Sequence, residues 1–329
     1  MKKISCILAG VLLLSLLTAC AGPQETVIEP EPAPQMGAPV GILPAEGMPE
    51  APEVEQVSQK EHFSYLTTEH PGILEKKNAN AVIDYSNTKD GYVMVQYTAK
   101  TDKLLKARVK GPKTTYTYNL TEKTWAAFPL SEGDGQYKIT VYRNTTGSKY
   151  ATVLSVTVNV KLDSPFEPFL RPNQYVDFSV APETVKLGAS LTKDAKNDLQ
   201  KVAKVYDYVV SALTYDKKKA ATVKSGYLPV LDEVLEEKTG ICFDYAALMT
   251  GMLRSQGVPC KLVVGYAGKA YHAWISVWTE EHGWVDGAIF FDGQNWQRMD
   301  PTFASSGKRS DSIMEYIGDG SNYTEKYLY

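Results

Sequence analysis

The chain has 329 residues, with 35 Lys and Arg against 38 Asp and Glu and a formal net charge of −3. Near-balance without a basic run argues against a nucleic-acid partner. The length allows more than one folded unit. Four cysteines in a chain this long exclude a disulfide framework.

Taken in chain order, Lys2 and Lys3 precede an apolar stretch from Ile7 to Leu17 that ends in Leu17-Thr18-Ala19-Cys20. The stretch is too short to span a hydrocarbon core of ~30 Å as a helix, and it has the layout of an export signal. Its ending resembles a bacterial lipobox. That resemblance implies cleavage before Cys20, a lipid on Cys20, and an exported protein anchored to the cell membrane as a lipoprotein. An ordinary signal peptide that happens to contain a cysteine is the alternative.

Residues 21–60 hold eight prolines and seven glutamates, with Lys60 as the single base. Such a composition cannot bury enough apolar surface to offset ordering entropy. The segment is expected to be a disordered, extended tether holding a folded body away from the membrane. The signal carries +2 and the tether −6, which leaves about +1 for residues 61–329.

From about residue 81 to 162 the apolar positions repeat every second residue. Val93, Val95 and Tyr97 share one face, as do Leu105, Ala107 and Val109, then Tyr137, Ile139 and Val141 after the turn Gly133-Asp134-Gly135. Leu154, Val156, Val158 and Val160 close the series. Period-two runs separated by turns predict an antiparallel, immunoglobulin-like sandwich, acting as a spacer or a substrate-docking module.

After Asp163-Ser164-Pro165 the period lengthens. Leu199, Val202, Tyr206, Val209 and Leu213 predict a helix over about 194–213. A second helix is expected from near Pro229 to about Lys238. A third opens at Cys242 and stops at Gly257 and Pro259. The runs CKLVVGY and HAWISVW then read as strands. Helices followed by an antiparallel sheet make an α+β domain.

Chemistry concentrates in that domain. A cysteine at a helix N-terminus faces unpaired N–H groups and the positive end of the helix dipole, which favour thiolate over thiol. Gly240 is read as the residue that turns the chain tightly into the helix. In HAWISVW, alternation puts His272, Trp274, Ser276 and Trp278 on one face. Asp300, in WQRMDPTF, could fix the imidazole tautomer, with Asp286 as a competitor. Cys260 shares a strand face with Leu262 and Val264 and reads as core. There is no CxxC, HExxH or EF-hand spacing, so neither a metal nor a cofactor is implied.

The segments GICFDYAALMTGMLRSQGVPCKLVVGY, HAWISVW and WQRMDPTF, in this order, resemble the transglutaminase-like superfamily across roughly residues 165–305. YDYVVSALTYD is similar to the family's lead-in helix. The resemblance implies a papain-related α+β fold with Cys242 as nucleophile, His272 as base and Asp300 as the orienting acid. It also implies acyl transfer on protein or peptide amides, either as transamidation or as cysteine protease-like hydrolysis. A side-chain oxyanion donor upstream of the cysteine does not align, and Tyr215 and Tyr227 are the candidates. The expectation is therefore an α+β protein: an all-β immunoglobulin-like sandwich over 81–162, then a transglutaminase-like domain over 165–329. The alternative is a catalytically silent fold that binds or organises the cell envelope. The Tyr-rich tail, from Tyr316 to Tyr329, is expected to pack on the domain as a turn-rich segment or to roof the cleft.

Overall fold

The computed structural model describes residues 25–29, 65–280, 283–286, 289–291, 296–298 and 323–329. Nine strands make up the first part: β1 (Glu25–Val27), β2 (Glu75–Lys77), β3 (Ala81–Asp84), β4 (Tyr92–Tyr97), β5 (Leu105–Lys110), β6 (Thr115–Leu120), β7 (Ala126–Pro129), β8 (Gly135–Thr146) and β9 (Lys149–Val160). They form two antiparallel sheets, in the orders β1-β9-β8-β5-β6 and β2-β3-β4-β7. The faces predicted to be apolar meet between them. Val93, Val95, Ala107, Val109, Tyr137, Ile139 and Val141 are fully buried in one cluster. This is a β-sandwich arrangement.

Two of its features depart from the sequence reading. Residues Glu25–Val27, assigned to the disordered tether, pair with β9 in register Glu25↔Ala151, and Ile28 packs on Tyr142 and Tyr150. The run Glu-Thr-Val-Ile is a local proline-free island with three β-branched residues, which suits a strand edge. Strand β4 is also buried on both faces, because Tyr92 and Met94 pack under Trp125 on its outer side.

Helices follow: α1 (Pro182–Thr192), α2 (Asp198–Ala212), α3 (Lys217–Thr222), α4 (Leu231–Glu237) and α5 (Cys242–Ser255). The short parallel pair β10 (Thr214–Tyr215) and β11 (Thr239–Gly240) lies among them. Helix α2 matches the predicted face, with Val202, Tyr206 and Val209 buried. Helix α4 begins at Leu231, two residues after Pro229. Helix α1 was not read from the sequence. Its N-terminus is capped from a distance: Asp232, on α4, accepts from Glu183 N at 3.1 Å and from Thr184 N at 2.8 Å. Its Gly188 lets it approach α5, where an added Cβ would stand 3.2 Å from the Met252 carbonyl.

The final sheet has the order β14-β13-β12-β17, with β12 (Cys260–Ala267), β13 (Ala270–Thr279), β14 (Gly283–Asp286) and β17 (Tyr323–Leu328). A separate hairpin joins β15 (Ile289–Phe291) to β16 (Trp296–Arg298). The tail is therefore a strand over its described residues: β17 adds to the edge of β12, and Tyr329 is buried.

The two parts share one core. Tyr116 and Tyr118 of β6 approach Tyr329 with ring centroids 5.7 and 6.0 Å apart. Tyr175 bridges Tyr329 at 4.1 Å to Phe243 at 5.5 Å. Arg171 ties the seam by donating to the carbonyls of Asp90 and Thr67 and pairing with Glu167 at 3.0 Å. The sandwich is thus built into the core that supports α5. An independent spacer would not share it.

Candidate active site

Cys242 is the first residue of α5, and its side chain is 0% exposed. What fixes this helix start is Asp244, also fully buried. Its Oδ2 accepts from Ile241 N at 2.8 Å and pairs with Lys219 Nζ at 2.8 Å. Its Oδ1 accepts from the Tyr227 hydroxyl at 2.6 Å. A carboxylate in the first turn satisfies an orphan N–H and complements the helix dipole. The Lys219 ammonium also lies 4.5 Å from the Tyr227 ring centroid. Burial and the adjacent Asp244 charge push the Tyr227 phenol well above its ordinary pKa, so it stays protonated and remains a donor.

Gly240 plays a different part from the one expected. Its φ is not positive. A Cβ there would stand 2.6 Å from Asp244 Cβ and 3.0 Å from Oδ2. The glycine makes room for the carboxylate that caps α5. It also lies on β11, paired with Tyr215 of β10, and Asp216 N donates to its carbonyl at 2.8 Å. The backbone of Tyr215 is thereby paired with the short strand that leads into Cys242. Of the two oxyanion candidates, Tyr227 has its proton committed to Asp244.

His272 lies on β13, opposite Gly265 of β12, and is fully buried. It is the third residue of its strand; the sequence reading put it at the strand's start. Its ring stands 6.1 Å from that of Trp274 and 6.4 Å from that of Tyr323. The opposite face of this sheet meets α5, where the Cys260 Sγ approaches Thr250 Oγ1 at 3.5 Å. Among the described residues the Cys242 side chain makes no hydrogen bond; α5, the helix it heads, packs on β13 from the face opposite His272. A cavity is lined by His272, Tyr271, Phe243, Tyr175 and Tyr227 and closed on the far side by β5 and β6; Cys242 is not among its described lining residues. Asp300 and Cys20 lie outside the described residues. So does the side chain of Asp286.

Cys260 is a buried free thiol, as is Cys242. Burial pushes the Cys260 thiol up to about 11, which makes it a core residue of low reactivity. Sequence reasoning missed two residues of this region, Lys219 and Arg254. Lys219 sits in a run of three lysines that reads as a solvated surface. Arg254 is completely buried, and its guanidinium donates to the carbonyls of Cys260, Arg171 and Tyr329 at 2.8, 2.8 and 2.6 Å. Burial lowers its pKa to about 10. Neither role had a local sequence signal. Among the described residues no group of three or more His, Cys, Asp or Glu could hold a metal.

Comparison with known proteins finds a family match in the second part of the chain. Residues 185–301 match the family model described as the transglutaminase-like superfamily. An uncharacterized protein, YebA, of Bacillus subtilis is 27% identical over 195 residues, which is 53% of this chain and 26% of that protein. A protein-glutamine gamma-glutamyltransferase of Pseudomonas aeruginosa is 28% identical over 115 residues, 31% of this chain and 15% of that protein. The chain thus spans about a quarter or less of the length of these relatives. A solved structure, a candidate cysteine protease of Cytophaga hutchinsonii, is 15% identical, covering 72% of this chain and 76% of that one, with a TM-score of 0.37. The matched segment contains Cys242, His272 and Asp300, and over residues 185–301 the chain carries a transglutaminase-like domain.

Proposed function

We propose that the protein is a thiol-dependent acyl-transfer enzyme acting on protein or peptide amides. The observation that carries this is the position of Cys242 at the head of α5, inside a transglutaminase-like match that also holds His272 and Asp300. In the proposed reaction the Cys242 thiolate attacks a carboxamide or peptide carbonyl. His272 then donates a proton to the departing ammonia or amine, leaving a thioester on Cys242. Asp300 accepts the other imidazole N–H and holds the tautomer. Water releases the acyl group as an acid, which is peptidase or amidase chemistry; a primary amine releases it as a new amide, which is transamidation. The Cys242 backbone N–H and Tyr215 are the proposed oxyanion donors, each worth about 3 kcal/mol in the transition state. No cofactor takes part.

The proposed setting is the outer face of a bacterial membrane, with Cys20 acylated. Because β1 begins at Glu25, a lipid on Cys20 would hold the sandwich edge within ~17 Å of the bilayer at about 3.4 Å per residue. We read the sandwich as immunoglobulin-like.

A second reading, a non-catalytic module that binds or organises the envelope, is favoured by one observation. The Cys242 thiol is 0% exposed, so an acyl donor reaches it only after an opening motion. One experiment separates these readings. A glutamine-bearing peptide is incubated with the protein and a fluorescent primary amine, with Cys242→Ala as control. Ammonia release with amine incorporation means transamidation, and release without incorporation means hydrolysis. No turnover, together with a Cys242 that behaves as an ordinary thiol, supports the non-catalytic module.

A further inference from the structure

Resting on the membrane-anchored setting for its choice of partner, we infer that the outer face of the five-stranded sheet docks on anionic lipid headgroups through Arg108, Lys110 and Lys138. The inner face of this sheet is the apolar one, carrying Val109, Tyr116 and Ile139. On the outer face, register puts Lys110 directly opposite Lys138 of β8, with Arg108 two residues back along β5. Like charges directly opposite have Cβ atoms ~5 Å apart and destabilise a sheet. Arg108 adds a third charge about 7 Å along the strand. The outward positions of β6, β5, β8 and β9 carry no Asp or Glu to offset them. Among the described residues none of the three cations makes an ion pair. Lys106, at the end of the same row, differs from them: its ammonium donates to Asn119 Oδ1 at 2.6 Å.

Lys110 and Lys138 are exposed, whereas Arg108 is half-buried between its cross-strand neighbours Thr117 and Thr140. Its Nε is buried without a hydrogen-bond partner. The face thus holds three charges at a cost in stability that no internal partner relieves. An anion seated on it cancels the repulsion, and phosphate suits the planar guanidinium fork. Position in the chain selects a lipid surface as the source of that phosphate. β1 is the edge strand of this same sheet, and Glu25 pairs with Ala151 of β9. Thr157, the partner of Lys138, lies six residues along β9 from Ala151, a rise of about 20 Å. An acylated Cys20 therefore leaves the three cations within ~37 Å of the bilayer, measured along the chain and the strand. The anchor keeps the face at high local concentration beside the headgroups, where each Lys or Arg adds to adhesion. Several cations spaced over a sheet face also match a surface of many headgroups better than a single small ion.

Vesicle binding tests this without turnover. The chain from residue 20 onward, which keeps every described residue, carries Cys20→Ala so that no lipid contributes. It is sedimented with vesicles of phosphatidylcholine alone and of phosphatidylcholine mixed with phosphatidylglycerol. Binding is expected to the anionic vesicles only, and it should weaken as salt rises. Combining Arg108→Gln, Lys110→Gln and Lys138→Gln should lower vesicle affinity on the order of 100-fold, about 5-fold per charge. The combination of Lys193→Gln, Lys196→Gln and Lys204→Gln removes as much charge from exposed lysines of the second part. It should change the affinity by no more than about 2-fold, because those charges lie off the docking face. The face variant should melt no lower than the wild type, since it loses the repulsion between Lys110 and Lys138. Equal vesicle binding by the wild type and the face variant, or an equal loss in the second combination, overturns the inference. So does saturable binding of inorganic phosphate without any vesicle binding, which would make the ligand a soluble anion. Acylation of Cys20 is read separately, by mass spectrometry of the membrane fraction. Charge-dependent vesicle binding with an unmodified Cys20 removes the anchor alone, and an acylated Cys20 without such binding removes the docking face alone.

Discussion

Asp244 is the residue on which the geometry of the proposed nucleophile depends, and replacing it tests that dependence. In the fully buried carboxylate both oxygens are engaged, by Ile241 N, the Tyr227 hydroxyl and the Lys219 ammonium at 2.6–2.8 Å. Asp244→Ala removes a helix cap, at about 1 kcal/mol. It also leaves the Tyr227 hydroxyl without its acceptor, at about 1–3 kcal/mol. Lys219, with a side chain 26% exposed, recovers some hydration, so its loss of a partner adds less. The total expected is about 3–4 kcal/mol. Asp244→Asn keeps the shape and one acceptor and should cost about 2 kcal/mol. A cycle with Lys219→Met isolates the charge pair. Lys219→Met alone strands a buried carboxylate and should cost about 3 kcal/mol, whereas in the Asn background it should cost under about 1 kcal/mol. Urea denaturation of the four proteins gives the coupling energy, expected near 2 kcal/mol. Additivity within about 0.5 kcal/mol would refute the view that Lys219 and Asp244 act as a unit in fixing the start of α5.

Three further substitutions probe the scaffold. Gly265→Ala would place a Cβ 2.0 Å from the Thr324 carbonyl and 2.9 Å from the Trp274 ring. It should displace β17, cost about 3 kcal/mol, and open Tyr323–Tyr329 to limited proteolysis. Arg254→Lys replaces a fork bonding three carbonyls with a point charge; a loss of about 3 kcal/mol is expected in the same denaturation assay. For Cys260 the folded-state pKa is raised from 9.0 to about 11. Its contribution is thus complete below pH 9 and is lost as pH rises toward 11, because only the unfolded chain gives up the proton in that window. The stability advantage of the wild type over Cys260→Ala should shrink by about 2 kcal/mol between pH 8 and 10.5.

What the sequence disclosed was what local periodicity encodes. Period two marked the buried faces of β5 and β8, and period 3.6 marked α2 and the start of α5 at Cys242. Helix α1 escaped because its sequence, PETVKLGASLT, is rich in small and polar residues. Its cap comes from Asp232, 48 residues away from the Thr184 it binds. The functions of Gly240, Lys219 and Arg254 escaped for the same reason: each exists only once distant segments meet. Gly240 looked like a turn residue because glycine most often serves backbone freedom, whereas here the requirement is space for a side chain. The tether reading treated residues 21–60 as one composition, and averaging hid the four-residue island that forms β1. The interior strands β4, β5, β8 and β9 could be read from alternation, but the sharing of a core between the sandwich and the transglutaminase-like domain could not. That depends on Tyr116 and Tyr118 of one strand, Tyr175, Phe243 and Tyr329 converging from four separate segments.

The central claim is that Cys242 is an activated nucleophile paired with His272. Its most direct test is the rate of Cys242 alkylation by iodoacetamide from pH 4 to 9, in a Cys260→Ala background, with and without His272→Ala. Reactivity that persists below about pH 6 and disappears in the histidine variant is the predicted result, the signature of a thiolate–imidazolium pair. A single rise near ~8.5, unchanged by the histidine variant, would contradict the account.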